Sequence, residues 1–287
     1  MNYRHAFHAG NFADVLKHVV LARILLHLRE KPAAFRVIDT HAGAGLYDLL
    51  GPEASRTGEW RNGIARVLAA APPADVANLL APYLEAILSC HPDRGGADGI
   101  ARRYYPGSPL IALSLLRPQD RLIACEIEPS AAGALVHTIG GDGRAKVIEI
   151  DGYVALNAYL PPKERRGLVL VDPPFEQPDE FSSLLRAVAK VWRKWPTGTY
   201  MLWYPLKDRL RAAAFSRELA GSVSREILRA ELDVDAGESG LTAAGLLIIN
   251  PPWRLADELQ VLLGWLAPAL AEAQNFTYRL DRVRGEK

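Results

Sequence analysis

The chain has 287 residues, 49% of them hydrophobic and 23% charged, with 34 Lys and Arg against 33 Asp and Glu. That composition describes a soluble globular protein of one large or two small domains, and its near-neutral charge excludes a broadly basic nucleic-acid binder, so any such surface has to be a local patch. Only Cys90 and Cys125 occur, at no metal-like spacing, which fits a reducing compartment without a disulfide framework; no run reaches the roughly 20 apolar residues of a membrane span, so the expected location is cytoplasmic.

In chain order, Asn11 is placed to cap a helix, with Asp14 three residues on and Leu16, Val20, Ile24 and Leu28 along one face. Tyr3, Arg4, His5, His8, Lys17 and His18 crowd this start with basic and aromatic side chains. Two readings stay open: a solvated helix start, or a site lined by Lys17 and His18 with Tyr3 and Arg4 meeting a base and a phosphate. A metal site of His5, His8 and His18 lacks regular ligand spacing and a nearby acid set.

Phe35 to Asp39 is the first of seven short apolar, β-rich runs. It delivers Asp39-Thr40-His41-Ala42-Gly43-Ala44-Gly45, an acid and a glycine-rich turn that lets the backbone approach a ligand, with a helix expected beyond it. A nicotinamide dinucleotide would want a third glycine where Asp48 stands and an acid on a nearby second strand, and that strand lies far downstream. From about Trp60 to Cys90 two helices are split by Ala71-Pro72-Pro73 and followed by a polar loop, His91 to Gly99. We read residues 52–101 as a small helical insertion in a domain formed by 1–51 and 102–287.

Arg102-Arg103-Tyr104-Tyr105 and the later Arg165-Arg166 either extend a basic surface or are merely solvated. Pro106-Gly107-Ser108-Pro109 is a turn into a helix, where Ser108 caps the helix or bonds a cofactor. The next two runs, Arg121 to Glu126 and Ala145 to Ile150, end in acids. Glu126 is suited to grip both ribose hydroxyls of a nucleoside cofactor, and Asp151 to accept from its adenine amine while Gly152 leaves room for the ring.

Gly167 to Val171 then delivers Asp172-Pro173-Pro174-Phe175 to the same edge. The carboxylate can accept one hydrogen of an exocyclic amine, the Pro173 carbonyl the other, and Phe175 can stack on the ring that carries it. The alternative is an ordinary strand ending in a proline turn. Phe181, Leu184, Leu185, Val188, Val191 and Trp192 repeat at helical spacing, as a crossover helix should. Three more runs follow: Thr199 to Trp203, Arg225 to Val234 and Ala244 to Ile249. The polar link Asp235 to Thr242 is too short for a crossover, so the last two runs form a hairpin and the seventh strand is antiparallel. This is an α/β, Rossmann-like arrangement with the strand pattern of S-adenosylmethionine-dependent methyltransferases. A second clamp-like turn, Asn250-Pro251-Pro252-Trp253, ends that antiparallel strand. It should lie opposite the ligand edge and be structural. Arg279 to Lys287 is a charged tail of little information.

Jointly, YRHAFHAGNFADVLKH, DTHAGAG, RTGE at Arg56 to Glu59, RRYYPGSP, DPPF, LWYP at Leu202 to Pro205 and NPPW resemble the RlmJ family over nearly the whole chain. The resemblance implies S-adenosyl-L-methionine-dependent methylation of N6 of an adenine in 23S ribosomal RNA, the donor leaving as S-adenosyl-L-homocysteine. It further implies that Asp172 is the catalytic acceptor, that His18, His41, Ser108, Glu126, Asp151 and Gly152 contact the cofactor, and that Tyr3 touches the RNA. Lys17, Pro173 and Phe175 complete the expected substrate side. Phe175 departs from the tyrosine frequent in the family, which keeps stacking and removes a hydroxyl. The expected partner is 23S rRNA, with no membrane and no metal, and the protein is expected to be a monomer. A DNA adenine methyltransferase, a non-catalytic RNA-binding module and a nicotinamide oxidoreductase stay as alternatives, the first disfavoured by the lack of an obvious large target-recognition domain.

Overall fold

The run Gly-Leu-Val-Leu-Val at 167–171 has no polar face to turn to water, and it becomes a central strand buried on both sides. The computed structural model describes residues 4–90, 103–234, 240–272 and 275–283. After a 3-10 turn, His5–Phe7, the chain forms α1 (Phe12–Arg29), β1 (Arg36–Asp39), β2 (Leu46–Asp48), α2 (Pro52–Thr57), a second 3-10 turn (Glu59–Arg61), α3 (Ile64–Ala69) and α4 (Ala74–Ser89). Then come β3 (Tyr104–Pro106), α5 (Ser108–Leu115), β4 (Arg121–Glu126), α6 (Pro129–Ile139), β5 (Ala145–Glu149), α7 (Gly152–Tyr159) and β6 (Gly167–Val171). The last part holds α8 (Glu180–Trp192), β7 (Thr199–Pro205), α9 (Arg209–Ser222), β8 (Ile227–Asp233), β9 (Ala243–Ile249), α10 (Leu255–Leu270) and β10 (Thr277–Val283).

The main sheet has the order β10-β8-β9-β7-β6-β1-β4-β5. The strands from β5 to β7 are parallel. β9 runs antiparallel between β7 and β8, so β8 shares the direction of the parallel set. All seven expected strands are present, with the expected hairpin. β10 is an addition: the segment read as an uninformative tail pairs antiparallel with β8 from Thr277↔Asp233 to Val283↔Ile227. A second correction concerns the glycine turn. Beyond Gly45 the chain enters β2, which pairs with β3, rather than a helix, because Gly107 N–H bonds the Gly45 carbonyl at 2.8 Å and zips Leu46 to Pro106.

Alternate residues of each strand supply two cores. Leu168, Leu170, Met201 and Ile248 pack under α1, α4, α5 and α10, whereas Val169, Val171 and Leu202 pack under α7, α8 and α9. α1 is not a solvated helix. It lies against α4, α5 and α10, and Arg23 is clamped by Glu258 of α10 through Nε–Oε2 at 2.9 Å and Nη2–Oε1 at 2.7 Å. Asn11 caps α1 as expected, its side chain accepting from Asp14 N–H at 2.9 Å. Val15, Leu16, Val20, Leu21, Ile24 and Leu25 are all fully buried, and at roughly 2 kcal/mol each their burial lets the same helix carry Asp14, Lys17 and His18 inside.

Candidate active site

Helical spacing puts Asp14, Lys17 and His18 on one face of α1, and that face meets the carboxyl end of β6. Lys17 Nζ lies 2.5 Å from Asp172 Oδ2 and 2.8 Å from Asp14 Oδ1. Asp14 Oδ2 in turn meets His5 Nε2 at 2.9 Å and accepts from Gly10 N–H at 2.9 Å. Burial opposes the charge of each partner. For Lys17 the Asp14 and Asp172 carboxylates outweigh it and hold the ammonium well above the ordinary lysine range. For Asp14 the His5 and Lys17 charges outweigh it and hold the carboxyl well below its usual value. Lys17 lines the larger cavity, as expected, and at the same time forms a strut between two carboxylates.

His18 is fully buried beside it. Its Nδ1 bonds the Tyr105 hydroxyl at 2.7 Å, Tyr105 bonds Tyr83 at 3.0 Å, and Nε2, 4.0 Å from Asp14 Oδ1, has no hydrogen-bond partner among the described residues. Burial holds the ring well below its usual pKa, hence neutral. Ser108 does not cap α5, whose N-cap is Gly107. Its hydroxyl donates to Asp39 Oδ2 at 2.6 Å, and burial raises Asp39 to about 6. Sequence reading missed this pair because the partners lie 69 residues apart.

The turn after β1 presents His41. The Thr40 hydroxyl donates to Leu170 O at 3.0 Å, so at its 2.8 Å contact with His41 Nδ1 it accepts. This assigns the proton to Nδ1 and leaves Nε2 an acceptor. Burial lowers His41 to about 4, which keeps it neutral. Gly152 packs under this ring: a Cβ there would stand 2.5 Å from both His41 Cε1 and the Thr40 carbonyl. Asp151 Oδ1 caps α7 by accepting Val154 N–H at 2.9 Å. Glu126 departs from the expected two-point grip. Its Oε2 accepts Gly43 N–H at 2.8 Å and its Oε1 accepts the amides of Ile127 and Glu128 at 2.9 Å. Of about four lone-pair positions, one on Oε2 is left.

These groups surround two neighbouring cavities. The larger, about 320 Å³, is lined by His18, His41, Ser108, Glu126, Lys17 and Asp172 among others. The smaller, about 240 Å³, holds Asp151 and Gly152. His41, Glu126, Ile127 and Pro174 belong to both, so an elongated ligand would bridge them.

Several expected residues lie elsewhere. Phe175, at φ 50°, packs edge-on to Phe181 at 4.8 Å and Trp203 at 5.7 Å and lines neither cavity. Pro173 is buried and Pro174 forms the wall. Arg166 donates to the carbonyls of Leu28 and Ala33 at the opposite edge of the sheet, so it extends no basic surface beside the site. Asn250 sits where topology put it, next to the start of β7; its amide donates to Pro196 O at 3.0 Å and Gly198 O at 2.7 Å. Tyr3, Arg102 and the loop from His91 to Gly99 lie outside the described residues.

A sheet of this order, carrying a cavity along its parallel strand ends and a proline-locked carboxylate opening into it, defines a Rossmann-like methyltransferase. Comparison with known proteins narrows the class. The family model described as "Ribosomal RNA large subunit methyltransferase D, RlmJ" matches residues 32–282, and the chain belongs to this family. Ribosomal RNA large subunit methyltransferase J of Escherichia coli K12 is 42% identical over 275 residues, covering 95% of each chain. The Haemophilus influenzae protein of the same name is 40% identical over 288 residues, covering 100% of each. The crystal structure of protein LPL1258 from Legionella pneumophila superposes with a TM-score of 0.85 at 33% identity, covering 98% of this chain and 99% of that one.

Proposed function

We propose that this enzyme transfers the methyl group of S-adenosylmethionine to N6 of an adenine in 23S ribosomal RNA, acting as a cytoplasmic monomer. The observation that carries the reading is the Asp172 carboxylate in the cavity. Its Oδ2 is held by Lys17 at 2.5 Å, and Oδ1 has no partner among the described residues. An adenine amine there would donate one hydrogen to Oδ1 and the other to the Pro173 carbonyl. Those two bonds favour a pyramidal nitrogen and aim its lone pair, which is otherwise delocalised into the ring.

The remaining residues fit a nucleoside-linked donor. Gly152 lets the His41 ring pack close at the wall of the smaller cavity, and one oxygen of Asp151 is left for the amine of the donor's base. Glu126 keeps one acceptor position for a ribose hydroxyl. The neutral rings of His41 and His18 and the hydroxyl of Ser108 line the larger cavity without adding charge beside a sulfonium. When bound, S-adenosylmethionine supplies the electrophilic methyl group. Lys17 fixes the Asp172 carboxylate in one rotamer, so it can stabilise positive charge developing on the amine and receive its proton afterwards. Tyr3 would touch the RNA, and Phe175 would meet the target base only if the base passes the Pro174 wall. Residues 52–101 are read as an insertion in the methyltransferase domain.

Radiolabelled methyl transfer to deproteinised 23S rRNA, assembled subunits and DNA in parallel tests the proposal. The expected product is N6-methyladenosine in RNA, and Asp172→Ala should lower the rate by about 10³-fold while retaining cofactor binding. Label in DNA alone, or near-normal turnover by Asp172→Ala, would overturn it.

A further inference from the structure

The motif Arg56-Thr57-Gly58-Glu59 takes no part in the two cavities beyond their rim. Glu53 of α2 lines the larger cavity and pairs with Arg4 at 3.7 Å. Arg56 stands one helical turn further along the same face, with its guanidinium over the Phe7 ring at 6.0 Å. Gly58 then reverses the chain at φ 65°, and a Cβ there would collide with Arg61 Nη1. The glycine therefore leaves the space that Arg61 uses to place its guanidinium over Trp60, 5.0 Å from the ring centre. Arg56 and Arg61 are exposed, and neither pairs with a carboxylate among the described residues.

The mount under these arginines is rigid. Trp60 is buried, the Thr57 hydroxyl donates to the Phe7 carbonyl, and Ile64 N–H bonds Gly10 O at 2.8 Å. Glu59 is spent on this anchoring. It holds His8 Nδ1 at 2.9 Å and accepts from the Asn11 amide at 2.9 Å, and Asn11 is the cap of the helix that carries Lys17.

We infer that Arg56 and Arg61, each propped on an aromatic ring, form a platform for the single-stranded RNA that flanks the target adenine. A guanidinium held flat against one ring offers its other face to a base and its N–H edge to phosphates. Two charges without acid partners supply the counterion release that drives RNA association in a chain of near-zero net charge. The inference rests on the reading of this enzyme as an RNA methyltransferase, and it gives a role to an RTGE motif that stands beside the cavity without touching the chemistry.

The test is the double variant Arg56→Ala with Arg61→Ala, titrated with a fluorescent single-stranded RNA oligonucleotide at several salt concentrations. S-adenosylhomocysteine affinity, melting midpoint and steady-state methylation of 23S rRNA are measured alongside. The expected result is an RNA Kd and KM raised about tenfold or more and a shallower salt slope, with kcat, cofactor affinity and melting midpoint retained. Wild-type RNA affinity and salt slope in the double variant would overturn the platform. If the alanine pair melts early, Arg56→Lys with Arg61→Lys keeps the charge and removes the planar face; weaker binding at an unchanged salt slope is then expected, and undiminished affinity overturns the inference. A wild-type enzyme that binds RNA through these arginines yet methylates none would sink the methylation reading and leave the platform standing.

Discussion

Asp172-Pro173-Pro174-Phe175 and Asn250-Pro251-Pro252-Trp253 pair the same chemistry with the same preceding apolar strand, yet the fold sends them to opposite edges of the sheet. The first ends a strand of the parallel set and meets Lys17 from α1. The second ends the antiparallel strand, and its amide is consumed by the carbonyls of Pro196 and Gly198. Their backbones differ in the same sense. In the first turn the aromatic takes the left-handed conformation, Phe175 at φ 50°, whereas in the second the asparagine takes it, at φ 53°. Asparagine tolerates that region and bonds locally within it, so the Asn250 turn is a relaxed plug, and the Asp172 turn places a less tolerant residue there beside a cavity. The contrast teaches that strand direction, rather than the tetrapeptide, makes a clamp.

The comparison can be broken or sharpened at graded cost. Lys17→Met carries the largest expected effect, because it strands two neighbouring carboxylates, Asp14 buried and Asp172 partly buried. We expect a loss of about 3–5 kcal/mol in urea unfolding together with loss of methyl transfer, and stability within error of wild type would show that the strut is dispensable. Exchanging the two clamp heads comes next. Asp172→Asn should lower methyl transfer about 10²-fold with little loss of fold, whereas Asn250→Asp should leave the rate unchanged and destabilise by about 2 kcal/mol, since a carboxylate would face two carbonyl oxygens. Equal rate losses from both would erase the distinction.

The smallest expected effect is in acid. His41 is half-buried at the cavity wall, and desolvation lowers its pKa to about 4 against an ordinary value of 6.5. Above pH 6.5 neither folded nor unfolded chain protonates it. As the pH falls towards 4 the unfolded chain takes up the proton and the folded chain refuses it, so folding stability declines by on the order of 2 kcal/mol across that window. Unfolding curves at pH 7 and pH 4.5 for wild type and His41→Gln should show that decline reduced in the variant, and an identical decline in both would place the titration elsewhere.

Much of this arrangement was legible in the sequence because it rests on local pattern. Continuous apolar runs mark strands buried on both faces, and acids at their ends mark the ligand edge. β10 escaped because an edge strand needs only backbone pairing. Its first residues, Thr277, Tyr278 and Arg279, are exposed, and from Arg279 on the segment reads as a charged tail. β2 and β3 escaped because three residues each leave no period to detect. In the candidate site, the contacts that join its residues are long-range: Lys17 meets Asp172 across 155 residues, and no spacing rule joins them. The signal that was available is the i, i+3, i+4 set of Asp14, Lys17 and His18, which marks one face of α1 as polar in a helix otherwise too apolar for solvent.

The helix made first is among the last to be covered. α1 leaves the exit tunnel with Asp14 and Lys17 already in register, but its clamp at Glu258 belongs to α10, near the far end of the chain. Until that helix is synthesised, water reaches the underside of α1 and competes for its ion pairs. Catalytic competence should therefore switch on with the finished polypeptide and not accumulate during translation: fragments ending before Leu255, though they contain every residue assigned a role in methyl transfer, would carry no working site.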